Sequence, residues 1–157
     1  MQVAFYLNNY TRTEDLVTAV NDIRYGGYPP NLPAALAAVR SDIFVASNGA
    51  RQEASVLRLA VVFVTENPSS SRSSTLVEAR AAADMGIGIV TVGVNTFVDR
   101  QLLSSITSYP SNKNMFLLPS VRNVTGLADP IKRIICSGMA WMRTVYVLVI
   151  AQSVSCM

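Results

Sequence analysis

The chain contains no histidine among its 157 residues. This absence excludes triads with an imidazole base, zincin-type metal sites and imidazole proton shuttles. Only two cysteines, Cys136 and Cys156, are present; they are too few for a disulfide framework and are not spaced like zinc ligands. Charged residues are also scarce, at 15%, and a net charge of +3 is too small to indicate a nucleic-acid partner.

Long hydrophobic runs are absent as well. The most apolar late segment, Val145–Ala151, is far shorter than the roughly 20 residues that a membrane helix needs, so no membrane span is predicted. Met1–Leu7 has neither a basic start nor a long apolar run, so we expect no signal peptide there. Half of the residues are nevertheless hydrophobic, which is enough for the core of one domain, or of one domain plus a fragment.

One stretch, Val56–Asn67, organises the rest of the chain. Its middle, Leu59–Val64, is continuously apolar and rich in β-branched valine, which is typical of a strand buried on both faces. It ends in Thr65, Glu66 and Asn67. Because ligands of parallel sheets bind beyond the carboxyl ends of the strands, Glu66 lies where a site is expected.

The other segments alternate between strand and helix patterns. Strands are predicted at Val3–Leu7 (an edge strand), Ile87–Val94 and Met115–Leu118. Helices are predicted after the capping-box spacings Thr11–Glu14 and Thr75–Glu78, around Pro33, from Asp99 to Ile106 and over Val121–Cys136, with Gly86 just beyond the second of these helices. This alternation indicates an α/β fold with a mostly parallel sheet.

Short motifs also occur in a recognisable order over Val3–Cys136. They are Phe5–Tyr10, Asp15-Leu16, Arg24–Gly27, Ala35-Leu36, Val39-Arg40, Gly49–Arg51, Val61–Asn67, Gly86–Val94 and Ile134–Cys136. This ordered set resembles the von Willebrand factor type A domain, most closely the A domains of collagen VI chains and matrilins. The resemblance implies a Rossmann-like three-layer sandwich in which Val3–Leu7 is the antiparallel edge strand. It also implies that the family's first two strands and first helix are missing before Met1.

Domains of this family carry a metal-ion-dependent adhesion site, and this sequence departs from its pattern. The family threonine falls within Tyr28–Leu32, where neither Pro30 nor Leu32 has a hydroxyl. The family aspartate after the fourth strand is replaced by Glu66. Because Mg²⁺ requires near-ideal octahedral oxygen geometry, a longer carboxylate and a missing hydroxyl should weaken the site.

The tail, Thr144–Ser155, resembles the family's first strand and metal loop, with Ala151–Ser155 in place of Asp-x-Ser-x-Ser. We therefore divide the chain into a partial A-like domain, 1–137, and an apolar tail, 138–157. Two interpretations of the tail remain open. It is either the stub of a second A domain, or a strand that returns to pair in parallel with the central strand, as in a circular permutant. The second arrangement would leave Glu66, Ser153 and Ser155 as the metal ligands.

Other candidate residues follow from the same resemblance. Tyr28, Asn67, Ser69 and Ser70 are candidates for a ligand-contacting rim, although a solvated loop is the simpler interpretation of the serine-rich segment. Asn9 and Asn123 stand in N-glycosylation sequons, which matter only in a secreted chain. Cys136 matches a family cysteine whose partner precedes the first strand, so it is predicted to be free or bridged to another chain.

Taken together, the sequence favours an extracellular, secreted, protein-binding A-type domain whose adhesion site is degenerate. Its expected partners are matrix proteins such as collagens and neighbouring A domains, and Mg²⁺ or another divalent cation would be only weakly held. The first alternative is a structural spacer with no ligand of its own. The second is a small enzyme with Glu66 as general base beside Ser69 or Ser70, but no histidine, lysine or second acid is placed to assist it.

Overall fold

The computed structural model describes residues 3–24, 31–53, 56–66, 72–137 and 145–151. The helices of these residues are Thr13–Asn21 (α1), Leu32–Ala38 (α2, continued by a π-helical turn over Val39–Ile43), Arg72–Asp84 (α3), Arg100–Ile106 (α4), Ser111–Asn114 (α5) and Ala128–Ser137 (α6). The strands are Leu57–Val64 (β1), Ile87–Val94 (β2), Met115–Leu118 (β3) and Val145–Ala151 (β4). Short 3₁₀ segments cover Ala46–Asn48 and Val121–Leu127. Of these helices, none combines the length and the apolar character that crossing a membrane requires.

The described strands form one four-stranded parallel sheet in the order β3-β2-β1-β4. On one side, β1 pairs with β2 from Arg58 opposite Ile87 onwards. On the other side it pairs with β4, with Leu57 opposite Val145. The α/β fold class is therefore confirmed. Of the two interpretations of the tail, the structure contains the one in which this segment pairs in parallel with the central strand.

The middle of β1 is buried on both faces, as its composition predicts. Ala60, Val62 and Val64 pack with helices α2, α3 and α4 in one cluster of the core. Leu59 and Val61 pack into a second cluster on the opposite face, where isoleucines of α6 cover the sheet. None of these five side chains is more than 4% exposed. The sheet is thus the middle layer between helices on each side.

Several helix ends follow directly from local sequence. Asp99 Oδ1 accepts a hydrogen bond from the Leu102 N–H at 2.9 Å and caps α4 as predicted. Pro33 lies in the first turn of α2, where its missing N–H costs nothing. Gly86 follows α3 with a φ of 71°, a left-handed conformation that glycine adopts without steric penalty. These three predictions are confirmed.

The two predicted capping boxes were wrong. Helix α3 begins at Arg72, so Thr75 lies inside its first turn, where it is completely buried by core packing. Helix α1 begins at Thr13 with Arg12 at the N-cap, and no side chain caps it. The spacing identified the presence of both helices, but not their first residues.

The predicted antiparallel strand at Val3–Leu7 was also wrong, because this segment has no regular structure. The Tyr6 N–H donates to Asn9 Oδ1 at 2.6 Å, and the Asn9 N–H donates to the Tyr6 carbonyl at 3.2 Å. This turn uses backbone groups that a strand would need for pairing, and Leu7 packs against the core. Partial burial raises the pKa of Tyr6, and Asp42, which accepts from the Tyr6 hydroxyl at 3.3 Å, raises it further.

The pairing of β4 with β1 leads to a prediction about stability. A chain ending at Ser137 should lose its cooperative thermal unfolding, because one edge of the buried strand β1 would then have unpaired backbone groups. The free energy lost with this pairing is a large fraction of the total stability of a typical domain, about 5–15 kcal/mol. Calorimetry of the full chain and of this truncation measures the effect.

A chain ending at Ala151 is the matched control, since it keeps β4 and removes only the residues after it. We expect this control to unfold cooperatively, with the amides of Val145–Ile150 protected from hydrogen exchange. Equal unfolding of all three chains, or free exchange of these amides, would contradict the pairing.

A buried pair of hydroxyl groups gives a second prediction. Thr107 Oγ1 donates its only proton to the Leu103 carbonyl at 2.6 Å, so Thr91 must be the donor across the 2.5 Å contact between the two hydroxyls. Thr107→Val would leave the buried Thr91 hydroxyl without an acceptor and should lower the free energy of unfolding by about 1–3 kcal/mol. Thr91→Val removes one bond and should cost about 0.5–1.5 kcal/mol.

Urea unfolding of the two single variants and the double variant tests this order. The double variant should cost less than the sum of the single ones, because no buried hydroxyl is then left without a partner. A larger loss for Thr91→Val than for Thr107→Val would show that the donor assignment is wrong.

Candidate functional site

The ends of β1 and β2, with the residues that follow them, form the carboxyl edge of the sheet. Val64 pairs with Gly93, so the residues after the two strands emerge side by side. Thr65 is 9% exposed, and Glu66, the next residue, is exposed. Glu66 therefore stands where the sequence analysis expected a site.

Asn95 joins the strands at this edge. Its side-chain amide donates to the carbonyl of Thr65 after β1, and its backbone N–H donates to the Leu118 carbonyl of β3 at 2.8 Å. Its Oδ1 accepts from the Phe97 N–H, also at 2.8 Å. Asn95 has a φ of 81°, which asparagine tolerates better than most residues. One residue, through its backbone and its side chain, thus holds together the ends of three strands and the loop that follows β2.

This loop presents an aromatic side chain to solvent. Phe97 is 78% exposed, although the next residue, Val98, is buried. Beyond it, Asp99 caps α4 and accepts a hydrogen bond from Arg72 Nη1 at 2.7 Å, which links the beginnings of α3 and α4. Phe97 is therefore exposed between two anchored points of the backbone.

Asn95 and Phe97 were not among the site residues predicted from the sequence. The available signal was their position, because Asn95 follows the second buried strand just as Glu66 follows the first. An amide at that position can bridge to the neighbouring strand, but its hydrogen-bond partners become apparent only when the strands are assembled.

Several predicted site residues lie outside the described part of the chain. These are the metal-ligand candidates Ser153 and Ser155 and the rim candidates Tyr28, Asn67, Ser69 and Ser70. The sequons at Asn9 and Asn123 are described, and both asparagines are exposed. Cys136 is an exposed thiol in no disulfide within the described residues, while Cys156 is not described.

The described residues of the carboxyl edge do not fit a divalent cation. Glu66 is an exposed carboxylate, but Asp99 is already engaged by Arg72 and by the cap of α4. Leu32, near the family's threonine position, is apolar and completely buried. Nowhere in the described ranges do three His, Cys, Asp or Glu side chains form a group that could hold a metal. Hard cations need several oxygen ligands, and these residues supply too few.

Solved structures of similar fold come from a mussel. Two crystal forms of proximal thread matrix protein 1 from the mussel byssus match with TM-scores of 0.78 and 0.77, at 16% and 18% identity. A third structure, titled as having a zinc-occupied adhesion motif, matches with a TM-score of 0.77 at 18% identity. Each match covers 86% of this chain, and this chain spans about a third of that protein, 34%, 34% and 33%. At such identities the likeness shows the fold alone.

The family model of the von Willebrand factor type A domain matches residues 1–130. This range contains β1, β2 and β3, helices α1 to α5 and the first residues of α6, together with Glu66 and Asn95. The match and the observed α/β sandwich agree with the ordered motifs in the sequence. The chain therefore belongs to the von Willebrand factor type A domain family.

Proposed function

We propose that the chain is a protein-binding domain of an extracellular matrix or adhesion protein. The observation that carries this proposal is membership of the type A family over residues 1–130. A matrix protein of the mussel byssus with the same fold supports the extracellular setting. The partners are matrix proteins such as collagens, together with adjacent A domains where the chain is part of an array.

The proposed binding route uses the carboxyl edge without a strongly bound cation. Glu66 is the exposed carboxylate there, and its ion-pairing capacity is not used within the described residues. A cation on Glu66, Ser153 and Ser155 would have a single charged ligand, so we propose that Mg²⁺ contributes little. Partner contact is then direct, through exposed side chains of this edge.

A structural spacer is the second candidate function. It is favoured by the lack of a metal-binding cluster in the described residues, because domains of this family usually bind their ligands through a cation. We do not propose an enzyme: domains of this family are generally not enzymatic. The second acid described at this edge, Asp99, is paired with Arg72 and caps α4, so it is not available to assist Glu66.

Binding of the full chain to immobilised collagen tests the proposed function. We expect equal affinity in Mg²⁺ and in EDTA, and a loss of about fivefold for Glu66→Gln, since an exposed ion pair contributes up to about 1 kcal/mol. Glu53→Gln is the matched control, because Glu53 is exposed but precedes β1 at the opposite edge of the sheet. Surface plasmon resonance measures all four cases.

The alternatives give different results. Loss of binding in EDTA would show that a cation completes the site after all. Absence of binding to collagen and to a panel of other matrix proteins would favour the spacer. Equal losses from Glu66→Gln and Glu53→Gln would show that Glu66 at the carboxyl edge has no specific role in binding.

The proposed secretion makes a further prediction. When the chain is directed through a eukaryotic secretory pathway by a heterologous signal peptide, exposed Asn9 and Asn123 should both acquire glycans. Mass spectrometry before and after treatment with an N-glycosidase measures the gain. Asn9→Gln and Asn123→Gln should each remove one glycan, and a secreted chain without glycans would contradict the prediction.

A further inference from the structure

Two exposed side chains of different chemistry flank Asn95 at the carboxyl edge. Glu66 follows Thr65, whose carbonyl accepts a hydrogen bond from the Asn95 side-chain amide. The Phe97 N–H donates to the oxygen of the same amide. An aromatic ring that is 78% exposed and an exposed carboxylate are thus presented from backbone segments joined by one side chain. We propose that Glu66 and Phe97 together receive an arginine or lysine side chain of a partner protein, an inference that rests on the proposed protein-binding function.

The loop that carries Phe97 is suited to this role because it is anchored on each side. Before Phe97, the hydrogen bonds of Asn95 hold the loop in place. After Phe97, the buried Val98 side chain holds it. Binding therefore orders the Phe97 and Glu66 side chains but not the backbone of this loop, which keeps its entropic cost small. Exposed aromatic residues on rigid supports are frequent anchors of protein interfaces.

The charges of this edge determine whether a basic or an acidic partner side chain is favoured. Arg72 is neutralised by Asp99 at 2.7 Å, whereas Glu66 has no ion-pair partner among the described residues. In the absence of a bound cation, the carboxylate repels an acidic ligand and attracts a basic one. This is the opposite of the family's usual mode, in which an acidic group of the ligand completes the shell of a cation.

An arginine side chain has the chemistry to use both groups at once. Its planar guanidinium forms paired hydrogen bonds with a carboxylate and stacks on an aromatic face. Lysine can make the same contacts as a point charge with an apolar stem, although less specifically. Arg100, which is exposed at the start of α4, is the feature of this region that would instead favour an acidic partner, so the test includes that case.

The test is an NMR titration of the isotope-labelled full chain with triple-helical Gly-Pro-Pro peptides that carry one guest residue, arginine, alanine or glutamate. We expect the arginine peptide to shift the amide signals of Glu66 and Phe97, with shifts that decrease as salt is added. Phe97→Ala and Glu66→Gln should each raise the dissociation constant about two- to fivefold. The alanine peptide should cause no shift.

Tyr109→Ala is the matched control for Phe97→Ala. Tyr109 is 96% exposed and follows Ser108, whose N–H donates to Ile89 near the start of β2, at the opposite end of that strand. Its loss should leave arginine-peptide binding unchanged. Because both aromatic side chains are exposed, neither substitution should affect folding, which circular dichroism verifies.

The proposal is overturned if the arginine peptide gives no shift, if the glutamate peptide binds equally well, or if Phe97→Ala has no more effect than Tyr109→Ala. The result also separates this inference from the proposed function. Binding of the arginine peptide without binding to any matrix protein would leave the inference standing and remove the proposed function. Collagen binding without a response to the arginine peptide would overturn this inference and leave the proposed function standing.

Discussion

The structure depends on the burial of the middle of β1 and on the hydrogen-bonded pairing of both edges of this strand. Each residue of a strand carries a backbone donor and acceptor, and burying them without partners costs as much as losing hydrogen bonds. β1 meets this constraint by pairing with β2 on one side and with β4 on the other. Its two faces are covered by separate groups of helices. Helices α2, α3, α4 and α6 supply the apolar cover of the sheet, and β3 extends it beyond β2.

The same strand pairing positions the carboxyl edge, where the proposed binding site lies. Because β1 and β2 run in parallel and in register, their carboxyl ends emerge together, and Asn95 ties them at that point. The backbone of this edge is held by hydrogen bonds, while the Glu66 and Phe97 side chains are exposed, a combination suited to the proposed binding of a partner surface.

The carboxyl edge retains the position of the family's adhesion site but differs from it in chemistry. A divalent cation requires several oxygen ligands in one shell, whereas the described residues present one uncommitted carboxylate beside an exposed aromatic ring. Such a pair suits a cationic side chain better than a metal-bridged acid. Recognition without a metal would make binding sensitive to ionic strength and insensitive to chelators.

Local sequence was sufficient for several features that depend on neighbouring residues, although not for the N-termini of α1 and α3. The apolar run of β1 predicted a strand buried on both faces, and Asp99, Pro33 and Gly86 marked helix ends correctly, because propensity, capping and burial pattern act over a few residues. The position of Glu66 followed from the same local pattern.

Tertiary structure decided the rest. It selected the pairing of β4 with β1 from two open interpretations, and it placed Asn95 between strands far apart in sequence. These features arise from contacts between distant segments, and such contacts gain their free energy only when the sheet is assembled.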